Sequence, residues 1–142
     1  MNMTLVPPGK VVGTLPAIMP YLLESERWTG GRAGVDDIAR FILNGQMHLW
    51  VAHEDNIAYG HVITEVKQYP QSKFLTVQYC AGEPNHMQHV EDEMFDLLER
   101  FAHDAGCAGI EFVGRPGWRK SAAKYGYEMH SVTYQKLFKE QS

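Results

Sequence analysis

Between Val90 and Ala105, the residues Val90, Met94, Leu97, Leu98 and Phe101 fall at i, i+4, i+7, i+8 and i+11. That spacing lays one apolar stripe along a helix. Gly106 follows where a left-handed cap would close it. A β-rich run, Phe74–Ala81, precedes the helix, and Ile110 and Phe112 mark a strand after it. A strand that returns after a helical crossover normally runs parallel to the one before it. The chain is therefore committed to a sheet with a parallel pair and a helix packed across it.

The remaining segments fill in around that unit. A first short strand is expected at Leu5–Val6 or Lys10–Val12, and a helix starting at Pro16 or Pro20 and running to Glu26. Trp28-Thr29-Gly30-Gly31 reads as a loop. Val35, Ile38, Phe41 and Ile42 recur at helical spacing, with Asp36 and Asp37 in the first turn and Asn44-Gly45 at the end. Leu49–His53 and Ile57–Val66 flank the turn Glu54-Asp55-Asn56, and Tyr69–Ser72 turns the chain into Phe74–Ala81. These three strands predict an antiparallel meander. Ser121–Tyr125 is a short helix closed by Gly126, and Val132–Phe138 alternates as a final strand. The predicted order is (β)ααβββαβαβ, an α/β domain spanning 1–142 with a mixed sheet.

Composition narrows the function classes. The chain has 142 residues, 44% apolar and 21% charged, with a net charge of −4, enough for one buried core. Lys and Arg are spread out, which argues against nucleic acid. No apolar run approaches the roughly 18 residues of a membrane span. The N-terminus MNMTLVPPGK has no signal-peptide pattern, so a cytosolic location is expected. Cys80 and Cys107 are expected as buried free thiols on strands. No Gly-x-Ser-x-Gly elbow, phosphate-binding P-loop or Cys-x-x-Cys pair occurs.

Three constellations carry chemistry. Glu65, on a strand near the sheet centre, is a candidate general base, or else a surface carboxylate paired with Lys67 or Arg115. His86 and His89, with Glu91 and Asp92, offer an HxxH pattern without a third fixed ligand, so no metal is expected. Arg115, Trp118 and Arg119 could clamp an anionic ligand or anchor a partner. Alternatively, Pro116-Gly117 simply makes the turn and Trp118 plugs the core. Trp28 and Trp50 are expected in the core.

Over its full length the order of elements resembles that of the GNAT superfamily of N-acetyltransferases. More narrowly, Leu49-Trp50-Val51-Ala52, Thr64-Glu65 with Tyr69-Pro70, Ala102–Cys107, Gly114-Arg115-Pro116-Gly117-Trp118 and Tyr125-Gly126-Tyr127, in that order, resemble small GNAT-like proteins encoded by tailed bacteriophages. The resemblance implies a GNAT fold whose Phe74–Ala81 and Ile110–Val113 strands splay apart. It also implies an acetyl-CoA site at Gln78, Tyr79 and Cys80, with the pyrophosphate loop at His86, His89 and Glu91. In such enzymes that loop reads Arg/Gln-x-x-Gly-x-Gly/Ala, so that bare N–H groups meet the pyrophosphate. Here side-chain-bearing residues replace the glycines, and Glu91, Asp92 and Glu93 occupy the first helical turn. Glu65 and Tyr125 are the implied catalytic pair. Ala122 stands at the family's tyrosine position, with Tyr125 the nearest hydroxyl. From the substituted loop, the expectation is a non-catalytic, virion- or assembly-associated protein that needs no cofactor. It would contact phage structural proteins or its own copies, in the host cytoplasm or the virion, without nucleic acid or membrane. The alternative is an acetyl-CoA-dependent N-acetyltransferase acting on an amine.

Overall fold

The computed structural model describes residues 1–114 and 118–138. Its strands are β1 (Asn2–Leu5), β2 (His48–Glu54), β3 (Ile57–Gln68), β4 (Lys73–Gly82) and β5 (Gly109–Phe112). Its helices are α1 (Val11–Trp28), α2 (Val35–Leu43), α3 (Pro84–Met87), α4 (Glu91–Asp104) and α5 (Arg119–Lys124). The five strands form one mixed sheet in the order β1-β2-β3-β4-β5. Neighbours are antiparallel except β4 and β5, which run parallel with Phe74 opposite Gly109 and Val77 opposite Phe112. This is the mixed α/β architecture expected from the crossover.

Each face of the sheet is closed by a different helical layer. Val11, Ile18 and Leu22 of α1 and Ile38 and Ile42 of α2 pack on Leu49, Val51 and Ile63. On the opposite face Met94, Phe95, Leu98 and Ala102 of α4 cover Trp50, Val62 and Leu75. The indole N–H of Trp50 donates to Thr64 Oγ1 at 3.0 Å, which satisfies its polar edge inside this core.

Five expectations change. The first strand lies at Asn2–Leu5, and Lys10–Val12 leads into the first helix instead of forming a strand. The first helix is continuous from Val11, with Pro16 and Pro20 inside it. Both prolines lie on its exposed face, where the carbonyls of Val12 and Pro16 that lose an N–H partner can be hydrated. The buried stripe of Val11, Ile18 and Leu22 holds the helix together. Segment 132–138 forms no strand. Trp28 is 58% exposed rather than core. Cys80 and Cys107 are thiols outside any disulfide but only half-buried, and Cys107 lies in the loop after α4.

One irregularity sets up everything that follows. Ile63 pairs with Tyr79 while Thr64 pairs with Val77, leaving Gln78 as an extra residue in β4. Such a bulge breaks the two-residue alternation of a strand. As a result Tyr79 packs towards the α1–α2 layer and Cys80 towards α4.

Candidate functional site

Strand β5 stays beside β4 only as far as Val77. Past that point the two strands part, and a cleft of about 560 Å³ opens between the helical layers. Gln78, Tyr79 and Cys80 form its β4 wall, and Phe112, Val113 and Gly114 approach from β5. Met94, Phe95 and Leu98 of α4 supply an apolar floor, with Trp118 beside them. The Trp118 ring meets Phe112 edge-on, 6.4 Å between centroids. Ser25, Trp28, Thr29 and Arg32 bring the end of α1 and its following loop to the mouth.

The polar groups of this wall are held in place. Glu65 is half-buried, accepting from the Gln78 amide at 2.9 Å and from Gln46 at 3.2 Å. It therefore acts on the cleft through Gln78, as a positioning group. Burial raises the Tyr79 hydroxyl, and the charges of Glu65 and Asp37 raise it further. Ser25 shares a 3.0 Å hydrogen bond with His61 Nε2, and both side chains are buried. Burial pushes the His61 imidazole down to about 4, against a smaller upward pull from the Tyr21 backbone. Its Nδ1 finds no hydrogen-bond partner among the described residues.

The mouth loop is built for rigidity. Gly30 and Gly31 adopt φ of +64° and +82°, which glycine reaches without steric cost. The Thr29 hydroxyl lies 2.8 Å from the Glu26 carbonyl and 3.1 Å from that of Ala33. The Glu26 carboxylate accepts the Val35 N–H at 2.7 Å, so α1 caps α2. Over the same mouth runs segment 128–138, with Thr133 and Gln135 lining the cleft and Val132 and Tyr134 turned to solvent at 59% and 90% exposure. Its alternation is thus the reverse of the expected final strand, polar side in. Gln135 explains the inversion, since it accepts a 3.0 Å hydrogen bond from Arg32.

The loop before α4 is arranged differently from a phosphate cradle. α3 and the turn after it consume their own N–H groups: those of His86 and Met87 go to Glu83 O, that of His89 to His86 O, and that of Val90 to Met87 O. His86 stacks on Tyr59 at 4.2 Å. Met87 lies across the paired Gly60 and Gly82, where a Cβ on either glycine would come within 2.7 Å of it. Glu91, Asp92 and Glu93 occupy the first turn of α4, and Glu91 Oε1 is buried without a partner among the described residues. As folded, this loop is a poor fit to a pyrophosphate: four of its N–H groups are used internally and three acids crowd the first turn of α4.

Of the residues singled out in the sequence, Gln78, Tyr79, Cys80 and Trp118 meet in the cleft, with Glu65 directly behind. His86, His89 and Glu91 stand outside its lining. Tyr125 lines a separate hollow, stacked on Phe95 at 4.3 Å with its hydroxyl donating to Asp92. That bond pushes the phenol up to about 12. Arg119 is exposed at the start of α5, and Arg115 lies outside the described residues. Sequence reasoning missed Ser25, Arg32 and His61. A polar residue on an apolar helix stripe and a histidine inside a β run were the available signals. Among the described residues no three His, Cys, Asp or Glu side chains gather to hold a metal ion. No described helix is long and apolar enough to cross a membrane.

No protein-family model matches the chain, and no curated protein matches it in sequence. Solved structures match it over nearly their full length. A ribosomal-protein-alanine N-acetyltransferase from Brucella melitensis biovar Abortus 2308 superposes with TM-score 0.68 at 16% identity, covering 97% of this chain and 100% of that one. A predicted acetyltransferase from Clostridium acetobutylicum, solved with acetyl-CoA, gives 0.69 at 14% identity, covering 96% and 95%. A GCN5-related N-acetyltransferase from Ralstonia eutropha JMP134 gives 0.66 at 12% identity, covering 95% and 97%. The chain has the GNAT N-acetyltransferase fold. At these identities the likeness is one of fold.

Proposed function

We propose that this protein is an N-acyltransferase that brings an acyl thioester and an amine together in the β4–β5 cleft. The observation that carries this reading is the parting of the strands after Val77, with the bulge at Gln78 presenting that wall to an open-mouthed, largely apolar cleft. Acyl transfer forms an amide bond as the thioester C–S bond breaks, and the proton lost by the amine must reach solvent or the departing sulfur. The dry floor of Met94, Phe95 and Leu98 strengthens every polar interaction made above it. Glu65 and Gln78 fix the polar side of the wall, and the buried Ser25–His61 pair fixes the other.

The donor is recognised chiefly at its acyl end. A structure of the same fold holds acetyl-CoA, but the loop before α4 uses the N–H groups of His86, Met87, His89 and Val90 internally and sets three acids in the next turn. The test is competition between acetyl-CoA and a phosphate-free thioester, S-acetyl-pantetheine, followed by calorimetry and by release of free thiol. Comparable millimolar affinities with amine-dependent thiol release support the reading. A low-micromolar dissociation constant for acetyl-CoA alone would show that the phosphates are gripped after all. The loop also favours a second reading, a non-catalytic protein that uses the fold for contacts with its own copies or with virion proteins. The virion location has only the sequence resemblance behind it. Absence of any thioester binding would select this second reading.

A further inference from the structure

We infer that the cleft accepts an amine that also carries a carboxylate and an apolar body, and that Arg32 binds the carboxylate. The inference rests on the acyltransferase reading for the amine and on independent observations for the anion. Among the described residues lining the cleft, Arg32 alone bears a formal charge, in a chain whose net charge is −4. Its guanidinium is not committed to an acid: NH1 donates to the Thr29 carbonyl at 3.1 Å and NH2 to Gln135 Oε1 at 3.0 Å. No carboxylate of the described residues forms an ion pair with it. Two neutral acceptors orient the planar fork and leave its charge unneutralised. A guanidinium has five N–H donors, so donors remain for a two-pronged bond to a carboxylate.

The position of the fork is set before any ligand arrives. Gly30 and Gly31 let the loop turn back on α1, Thr29 ties it, and the Glu26 carboxylate anchors its far end at Val35. Preorganisation of this kind lowers the entropy lost on binding. Behind Arg32 the cleft is apolar, with Val62, Val77, Leu98 and Phe112 along its walls. One cation at the rim and hydrocarbon beyond it describe a ligand with one anionic end and an apolar remainder. Free amino acids with aromatic or branched side chains have this chemistry. Cations such as polyamines do not, because among the described residues no acid lines the space.

The probes are L-phenylalanine and phenylethylamine, which share ring and amine and differ by the carboxylate. Binding to the full chain is measured by calorimetry and by chemical shifts, without any acyl donor. Phenylalanine should bind about five- to tenfold more tightly, the size expected of one charge-assisted pair at an open rim. In Arg32→Gln the ratio of the two affinities should fall to about one, while Arg32→Lys, which keeps the charge without the fork, should hold part of it. Equal affinities in the wild type, or a preference that survives Arg32→Gln, overturns the inference, as does failure of both amines to bind. Acetyl transfer is scored separately. An Arg32-dependent preference without transfer removes the acyltransferase reading and leaves the anion site. Transfer to phenylethylamine at the same rate as to phenylalanine does the reverse.

Discussion

Replacing Glu91 by glycine removes a negative charge and a side chain from the first turn of α4 in one step. Two like charges about 4 Å apart cost on the order of 1 kcal/mol in water, and more where water is thin. Acetyl-CoA should therefore bind Glu91→Gly about fivefold or more tightly than wild type, while a phosphate-free thioester gains nothing. Calorimetry with both donors checks this, and equal gains would mean that the substitution acts through the helix rather than the phosphates. Individual residues were unevenly legible in the sequence. Gln78 to Cys80 were singled out through the family resemblance, and they line the cleft where β4 and β5 part. Trp28 was misplaced in the core and Trp118 left between core and contact, since their fates depend on which wall each element supplies: Trp28 is exposed at the mouth and Trp118 half-buried in the lining. Arg32 was hidden for a different reason. A charge in a glycine-rich loop looks like ordinary surface until the neighbours that orient it are known.

At the level of elements, α1 is the instructive case. Proline normally ends or restarts a helix, so a start at Pro16 or Pro20 was the reasonable reading, and the periodicity of Val11, Ile18 and Leu22 overrode it. Substituting Pro20 by alanine restores a donor to the Pro16 carbonyl on the exposed face. Against this, the unfolded chain gains freedom worth up to about 1 kcal/mol. The net expectation is a gain of about 1–2 kcal/mol, read as a higher melting temperature. A lower one would mean that α1 uses the proline bend to seat Ser25. The segment after α5 failed as a predicted strand because alternation specifies two faces without saying which faces the protein. Here a single side-chain bond, Gln135 to Arg32, turned the polar face inward. α3 escaped notice because four residues carry no readable period.

For the molecule as a whole, the buried His61 ties stability to acidity. Its pKa of about 4 in the folded state lies below the ordinary value of 6.5, so between those values the unfolded chain binds more protons. Stability must then rise with pH across that window and fall as pH drops from 6.5 towards 4. The loss attributable to this group reaches about 3 kcal/mol. Burial lowers His48 in the same direction. Urea midpoints measured from pH 7 to pH 4.5 should decline in the wild type and flatten in His61→Gln, whose side chain cannot charge. An unchanged slope in the variant would assign the acid sensitivity elsewhere.

The extra residue in β4 bears on how this chain can change length. Loops usually absorb insertions and deletions with little consequence. Straightening β4 with Gln78 kept and paired opposite Ile63 would exchange the sides on which every later residue of the strand projects. Tyr79 would turn into the layer beneath α4 and Cys80 out of it, while the lengths of all other segments stayed the same. The reading frame of side chains along the open wall thus hangs on the pairing at one position. Removing Gln78 would by contrast join Val77 to Tyr79 and leave both on their present sides, so the side-chain frame of this strand can survive a one-residue deletion that strands rarely absorb.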